Sequence, residues 1–401
     1  MLRRTLLGAV AGGLAAPYVA RAAGPTPGVT KDSIKIGQTM PYSGPASAYG
    51  VIGQTEAAYF KMLNAQGGIN GRKIEFFSAD DGYSPPRTVE ETRRLVESEG
   101  VAFMYQGLGT PTQSAVQRYL NQKKVPQIFV STGAEKWADP DHFPWTIGWQ
   151  PSYRIEAAIY ARHLMQVNSS AKLAVLYQND DFGKDYLTGL HDAFGAKYEA
   201  VVVKAVSYEV TDPTVDSQIV TLKGSGADAL LTVATPKFAA QAIKKVAEIG
   251  WRSAQFYLTN VSLSATAVMI PAGAENGQGI MSGAYLKDQS DPQWANDPGM
   301  NQFRSWAKQW APDADLANSN VVFAYGNVLS LHKVLEQCGE DLSRENIMRQ
   351  AANLHDLESP VLLPGIKINS SQKDFHPIKQ LQLAKWNGSA WQLFGDVLSG
   401  A

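Results

Sequence analysis

Cysteine is almost absent: Cys338 is the single one in 401 residues. An internal disulfide is thereby excluded, so the fold must rest on buried cores rather than cross-links. Net charge is nearly absent too. Lys and Arg number 36 against 37 Asp and Glu, a formal charge of −1, which argues against nucleic acid as a partner. Beyond the first residues there is no long apolar run, so nothing suggests a membrane-inserted protein. His142, His163, His191, His332, His355 and His376 are scattered with no HExxH spacing. Cys338 stands alone in a helix-terminal context, so no metal site and no thiol nucleophile are expected. A G-x-S-x-G elbow is missing. Gly183-Lys184 lacks the upstream glycine and the following Ser/Thr of a phosphate-binding loop. Gly107-Leu108-Gly109 is half a dinucleotide fingerprint, with Thr112 where the third glycine belongs and in the third βα unit, the wrong place. No enzyme and no cofactor are expected.

What is present begins with the N-terminus. Met1-Leu2-Arg3-Arg4 is positive, Thr5 to Ala16 is apolar, and Ala20-Arg21-Ala22 offers small residues at signal-peptidase spacing. That order is a secretory signal peptide, residues 1–23, cleaved near Ala22 and implying a periplasmic protein. Arg3-Arg4 leaves twin-arginine export open beside the general route. No Cys stands near the cleavage site to carry a lipid. The remaining chain, about 375 residues, is long enough for two domains of roughly 100–200 residues each. Its 18% charged and 10% aromatic content is that of an ordinary globular protein.

Short β-rich segments alternate with helical patterns. Strands are predicted at Ile34–Gly37, Ile74–Ser78, Val101–Gln106 and Gln127–Val130, with helices at Tyr49–Ala65, Pro86–Glu99 and Pro111–Gln122 between them. The rhythm restarts after residue 150. Helices at Tyr153–Met165, Lys184–Ala196, Ser217–Lys223 and Phe238–Ile249 alternate with strands at Lys172–Tyr177, Val201–Ser207, Ala229–Ala234 and Gln255–Leu258. Gly, Pro and Asp break it over Gly273–Asp297. Val321–Glu336 reads as a helix, and the tail, Ile366–Ile368, Leu381–Trp386 and Trp391–Phe394, as antiparallel strands. The fold class is α/β: two halves with parallel sheets and helices on both faces, where ligands bind beyond the carboxyl ends of strands.

The ordered residues carry a family likeness. Ile34-Lys35-Ile36-Gly37 leads into Pro41-Tyr42-Ser43-Gly44-Pro45 and Ala48-Tyr49-Gly50. Asn64-Ala65-Gln66-Gly67-Gly68-Ile69-Asn70-Gly71-Arg72-Lys73 follows, then Asp80-Asp81 and Pro85. Lys172-Leu173-Ala174-Val175-Leu176-Tyr177 precedes Asp180-Asp181-Phe182-Gly183-Lys184. Over residues 32 to 398 the chain resembles the type I periplasmic binding proteins of the leucine/isoleucine/valine-binding family. The resemblance implies two Rossmann-like lobes joined by a three-crossing hinge, a cleft that closes on a small-molecule ligand, and an ABC-importer permease in the membrane as partner. A ligand-sensing receptor that signals through a membrane partner stands as the alternative. Lobe one is expected at 32–149 plus 284–350, lobe two at 150–283 plus 351–398, the whole a monomer.

Site residues follow. Gly107 to Thr112 joins a strand to a helix; Thr110 can cap it and Pro111 suits its first turn. Free N–H groups and the helix dipole there make a carboxylate seat, and Gly109 lets a ligand approach the backbone. The resemblance implies that Leu108, Gly109 and Thr110 grip a ligand carboxylate, aided by Ser131, Thr132 and Gly133 in the neighbouring loop. Tyr49 matches a tyrosine at the cleft mouth or packs in the lobe core. Phe182 can wall the pocket, while Asp180 and Asp181 cap a turn. Thr235 and Asn260 follow lobe-two strands. Trp149 and Tyr285 lie near the first two crossings, as stacking platforms or as packing. Leucine-binding relatives carry a glutamate for the ligand ammonium in the loop that here reads Leu258-Thr259-Asn260-Val261-Ser262, without an acid. A buried unpaired ammonium is costly. A carboxylate without an α-amino group, aromatic or short-chain, therefore competes with a branched-chain amino acid as ligand.

Overall fold

The computed structural model describes residues 26–251 and 255–400. The expected leader, residues 1–23, lies outside them. Seven elements alternate first: β1 (Ser33–Met40), α1 (Val51–Ala65), β2 (Lys73–Asp80), α2 (Pro85–Arg93), β3 (Phe103–Tyr105), α3 (Thr110–Gln122) and β4 (Gln127–Val130). β5 (Thr146–Gly148) completes a parallel sheet in the order β2-β1-β3-β4-β5. Ile36 sits between Phe76 of β2 and Phe103 of β3. Ile34, Ile36 and Phe103 are fully buried, as strands covered on both faces require.

The second sheet draws on α4 (Tyr153–Val167), β6 (Leu173–Gln178), α5 (Asp181–Phe194), α6 (Tyr198–Val201), β7 (Val202–Tyr208), α7 (Asp216–Gly224), β8 (Ala229–Val233), α8 (Pro236–Glu248), β9 (Gln255–Leu258), α9 (Ile270–Ala272) and β10 (Met281–Ala284). After α10 (Pro298–Trp310), α11 (Ser319–Cys338) and α12 (Arg344–Ala351), the chain ends in β11 (Gln380–Trp386) and β12 (Trp391–Ser399). Strand order is β12-β11-β10-β9-β8-β6-β7, parallel except for the last two strands in sequence. The helices between β10 and β11 return to the first sheet. Tyr59 of α1 packs its ring on Tyr325 of α11 and Trp306 of α10, at 5.9 and 6.0 Å. Arg344 of α12 donates to the Ala102 carbonyl at 2.8 Å. The chain thus passes between the sheets three times. We propose the division 32–149 plus 284–350 and 150–283 plus 351–398, and call the two parts lobe one and lobe two.

Six elements escape a reading of local sequence, the short α6 and α9 among them, and one expected strand is missing. β10 lies inside the Gly-, Pro- and Asp-rich stretch; Met-Ser-Gly-Ala has little strand propensity, and its pairing with β9 and β11 imposes the conformation. β5 is only three residues long. α10 and α12 start on Asp297 and Ser343, whose side chains accept the backbone N–H of Met300 and Asn346. Ile366–Ile368 is not a strand. Ile368 forms a single antiparallel bridge with Leu357, which pins a crossing rather than extending a sheet.

The Asp-Asp-Phe-Gly-Lys stretch shows how tightly the strand-to-helix turns fit. Asp180 caps α5 by accepting the Phe182 N–H at 2.9 Å. A Cβ on Gly183 would stand 2.1 Å from the Gln178 carbonyl oxygen, a backbone atom that cannot move aside. Gly183→Ala is therefore expected to cost about 1–3 kcal/mol by overpacking, checked by urea denaturation; unchanged stability would show that the turn yields.

Candidate functional site

The carboxyl ends of both sheets face one cavity, as open α/β sheets predispose. On lobe one, β3 runs into Gly107-Leu108-Gly109 and β4 into Ser131. The two loops are zipped together: the Ser131 N–H donates to Gly107 O at 3.0 Å and the Gly109 N–H to Ser131 O at 3.4 Å. Gly109 has φ 103°, and a Cβ there would fall 2.4 Å from the Tyr83 ring, so only glycine serves. It is also the N-cap of α3, and offers no side-chain cap. This corrects the expectation that Thr110 caps. Thr110 is the first helical residue, and its first-turn N–H has no acceptor within the helix. Its hydroxyl pairs with the Thr132 hydroxyl at 2.5 Å, which in turn meets the Tyr153 hydroxyl of lobe two at 3.1 Å.

The cavity encloses about 960 Å³, counted with the solvent at its mouth. Tyr49, Leu108, Gly109, Thr110, Ser131, Phe182, Thr235, Asn260 and Tyr285 stand in its wall. Thr132, Gly133 and Trp149 do not. Thr132 spends its hydroxyl behind Thr110. Gly133 is pressed against the first crossing, where a Cβ would lie 2.6 Å from Pro151 O. Trp149 is wholly buried, with Nε1 donating to Ser330 Oγ at 2.9 Å and its ring against Phe323 and Tyr285. Thr235 precedes α8 and donates its N–H to the Tyr208 hydroxyl at 3.1 Å.

Other wall residues were not foreseen. Tyr83 and Gln150 come from loops beside those already named, and Tyr153 opens α4. Leu286, Lys287 and Asp288 arrive with the second crossing, Ser319, Asn320 and Phe323 with the start of α11, and Trp391 with β12. Asn318-Ser319-Asn320 ahead of a long apolar helix is a legible cap, and Asn318 does cap α11; nothing local places that helix end on the cavity. The Lys287 ammonium is held by Asp297 at 2.8 Å and Pro360 O at 2.9 Å. Asp288 accepts from Ser290 and from the Trp391 N–H; burial raises its carboxyl above the usual range. Gln150 Nε2 and Asn320 Nδ2 are buried and have no hydrogen-bond partner among the described residues.

The lobes are closed on each other. The Tyr49 hydroxyl donates to Val261 O at 3.0 Å, Gln178 Nε2 to the Tyr83 hydroxyl at 3.3 Å, and Ser264 Oγ to Asn318 Oδ1 at 3.1 Å. Outside the cavity Lys136 meets Asp181 at 3.0 Å, and the Glu135 N–H donates to Asp185 at 2.8 Å.

The lobe-two loop has no acid of its own, yet one lies directly behind it. Glu156 of α4 is fully buried. Its Oε1 accepts the Asn260 backbone N–H at 2.8 Å and the Tyr160 hydroxyl at 2.5 Å, and its Oε2 accepts Asn260 Nδ2. Burial pushes its carboxyl up to about 7, against the opposing pull of these donors. The spacing of α4 residues gave no hint of this, because Glu156 reaches a loop some hundred residues away in the chain.

Among the described residues no cluster of His, Cys, Asp and Glu could hold a metal ion. No described helix is long and apolar enough to cross a membrane. Cys338 is buried, its thiol pushed up to about 12 by desolvation.

Residues 33–390 match a family model described as periplasmic binding protein. The chain belongs to that family. Its type is the type I, leucine/isoleucine/valine-binding one. An amino acid binding protein of Pseudomonas aeruginosa is 26% identical over 186 residues, 44% of this chain and 46% of the relative. A Leu/Ile/Val-binding protein homolog 3 of Brucella melitensis is 25% identical over 206 residues, 49% of this chain and 52% of the relative. The chain thus spans about half the length of the curated relatives it matches. Among solved structures, a substrate-binding periplasmic protein from Ralstonia solanacearum superposes with TM-score 0.81 at 21% identity, over 90% of this chain and 100% of the other. A branched chain amino acid ABC transporter protein from Thermus thermophilus with bound valine gives 0.80 at 12%, over 92% and 97%. A solute binding protein from R. palustris in complex with 4-hydroxybenzoate gives 0.76 at 18%, over 92% and 97%. At these identities the likeness is one of fold.

A carboxyl that titrates near 7 when folded and near 4.5 when unfolded makes the native protein hold the extra proton between those values. Stability is therefore greatest below about 4.5 for this group and falls as pH rises toward 7, by about 1.4 kcal/mol per unit at most. Glu156→Gln is expected to remove that slope, so the stability difference between variant and wild type shifts in the variant's favour from pH 5 to 7. Parallel stability–pH curves in chemical denaturation would contradict it.

Proposed function

We propose that the chain is the exported solute-binding component of an ABC importer, a periplasmic monomer that traps one small carboxylate-bearing molecule between its lobes and presents the closed form to a membrane permease. The observation that carries this reading is the Gly109–Thr110 turn. An uncapped helix start faces a largely apolar, two-lobed cavity, where free N–H groups and the helix dipole suit an anion. Ser131 beside it, and the unpartnered Gln150 and Asn320 amide nitrogens, add donors for solute oxygens.

The ligand we favour is an organic acid without an α-amino group. Tyr49, Tyr153, Phe182, Phe323 and Trp391 give the wall aromatic surface for a ring or an alkyl chain. The acid nearest the Asn260 loop is turned away behind Asn260. The solved relatives with valine and with 4-hydroxybenzoate frame the choice. One observation favours the amino-acid alternative: Asp288 does stand in the wall, though its oxygens already serve Ser290 and Trp391.

Ligand that binds only the folded form raises thermal stability by mass action. A thermal-shift panel of branched-chain amino acids beside benzoate- and cinnamate-type acids is expected to respond to the acids; a shift with leucine-like ligands alone would sink the non-amino reading. Thr110→Val is expected to weaken binding about tenfold or more by disturbing the seat, read by calorimetric titration. Unchanged affinity would put the carboxylate elsewhere.

A further inference from the structure

The acid behind Asn260 has a consequence for what the cavity accepts. An ionised carboxylate can only accept hydrogen bonds. Glu156 therefore dictates the orientation of the Asn260 amide: Nδ2 must face the carboxylate, and the carbonyl Oδ1 must face away from it. Asn260 stands in the cavity wall, and its Oδ1 has no hydrogen-bond partner among the described residues and is not sealed from the cavity. The backbone cannot rotate to compensate. Asn260 N is tied to Glu156 Oε1 at 2.8 Å, and the Tyr186 hydroxyl meets Thr259 Oγ1 at 2.5 Å.

We propose that Glu156 is a positioning residue for solute specificity: through Asn260 it presents a carbonyl acceptor to the cavity, so the solute carries a hydrogen-bond donor opposite its carboxylate, and protonation of Glu156 reverses that preference. This deepens the carboxylate reading above and rests on it. Protonation supplies the reversal. With the Asn260 N–H and the Tyr160 hydroxyl both directed at Oε1, the added proton belongs on Oε2. There it becomes a donor, the Asn260 amide turns over to accept it, and Nδ2 swings to the cavity. Selectivity then shifts from donor-bearing to acceptor-bearing solutes.

The chemistry falls in an accessible range, because burial lifts the Glu156 carboxyl to about 7. The ionisable groups facing it are Tyr160 on its own helix, Tyr186 from α5 and Tyr285 from the second crossing, all held above the ordinary tyrosine range by burial. They stay neutral throughout. No Lys or Arg pairs with Glu156 among the described residues. In the cavity wall Lys287 is bound to Asp297, and Asp288 is a second carboxyl raised by burial, so Asp288→Asn is the control for it.

The test uses matched acids whose own charges are constant between pH 5.5 and 8. Leucine, 2-hydroxy-4-methylpentanoate and 4-methyl-2-oxopentanoate share one side chain and offer an ammonium, a hydroxyl and a bare acceptor. 4-Hydroxybenzoate and 4-methoxybenzoate do the same on a ring. At pH 8 wild type is expected to bind the donor-bearing members about tenfold or more tighter than their acceptor partners, with the ratio falling several-fold by pH 5.5. The ammonium and hydroxyl arms tell which donor is taken. In Glu156→Gln, whose carbonyl must take the Asn260 N–H and the Tyr160 hydroxyl so that its NH2 faces Asn260 as the protonated acid would, the acceptor-bearing preference is expected at every pH; in Asp288→Asn the wild-type pH profile should persist. A pH-independent ratio in wild type, or a wild-type profile in Glu156→Gln, overturns the proposal even though Thr110→Val still weakens every acid. Failure of every acid to bind overturns the carboxylate reading and this inference together.

Discussion

The arrangement of the cleft depends on one buried ring. Trp149 ends the first crossing and is inserted between α11 and the second crossing, its Nε1 on Ser330 and its faces against Phe323 and Tyr285. Gly326 leaves room for it: a Cβ there would already touch the ring at 3.4 Å. Three chain segments that are remote in sequence are thereby fixed to one another at the hinge. The neighbours of that junction, Gln150, Tyr285, Leu286 and Asn320, are cavity wall. A tryptophan in this position contributes by fixing the wall, and its burial leaves no face for a solute.

Around that junction the polar groups divide into two kinds. Behind the wall they are consumed. Thr132 joins Thr110 to Tyr153, Asp180 caps α5, and Glu156 gathers Asn260 and Tyr160. Around the wall several lack a partner among the described residues: the first-turn N–H of α3, Asn260 Oδ1, and the buried amide nitrogens of Gln150 and Asn320. Desolvated polar groups without partners are unfavourable in a finished core. Unpartnered buried polar atoms are not confined to the cavity: Glu56 Oε1, both amide atoms of Gln106, Thr232 Oγ1, Trp306 Nε1 and Asn327 Nδ2 are among those that lie elsewhere in the described residues.

Much of this was legible in the sequence where function rides on local backbone geometry. Gly107-Leu108-Gly109 after an apolar run, and Ser131 after the next, announce loops at strand ends. Phe182, Thr235 and Asn260 follow from the same rhythm, Tyr49 was singled out by the family resemblance, and all four stand in the wall. Where contact depends on which distant segment packs against which, the sequence is silent. Lys287 and Asp288 lie in a stretch whose composition signals irregular chain. Trp391 belongs to an edge hairpin. Glu156 sits on an unremarkable helical face and acquires meaning only because β9 ends against it. β10 was invisible for the same reason, since its conformation comes from its neighbours and not from Met281-Ser282-Gly283-Ala284 itself.

The closed form is held lightly. Among the described residues, hydrogen bonds cross the cleft beside the cavity from Tyr49, Gln178 and Ser264, between the Thr132 and Tyr153 hydroxyls, and from the Trp391 N–H to Asp288, and each neutral one contributes about 1 kcal/mol net. The outer ion pair of Lys136 with Asp181 joins partly exposed groups and adds little. Against this stands the entropy of an open, rocking hinge and the desolvation of the unpaired wall groups. A latch of this strength is one that a ligand binding the closed arrangement selectively can outweigh. A stronger latch would close the cleft without a guest and slow its release; a weaker one would leave the seat at Gly109 and the carbonyl of Asn260 too far apart to act on one molecule. Under the solute-binding reading proposed above, cross-cleft contacts of this strength let the same structure take up a solute and give it back.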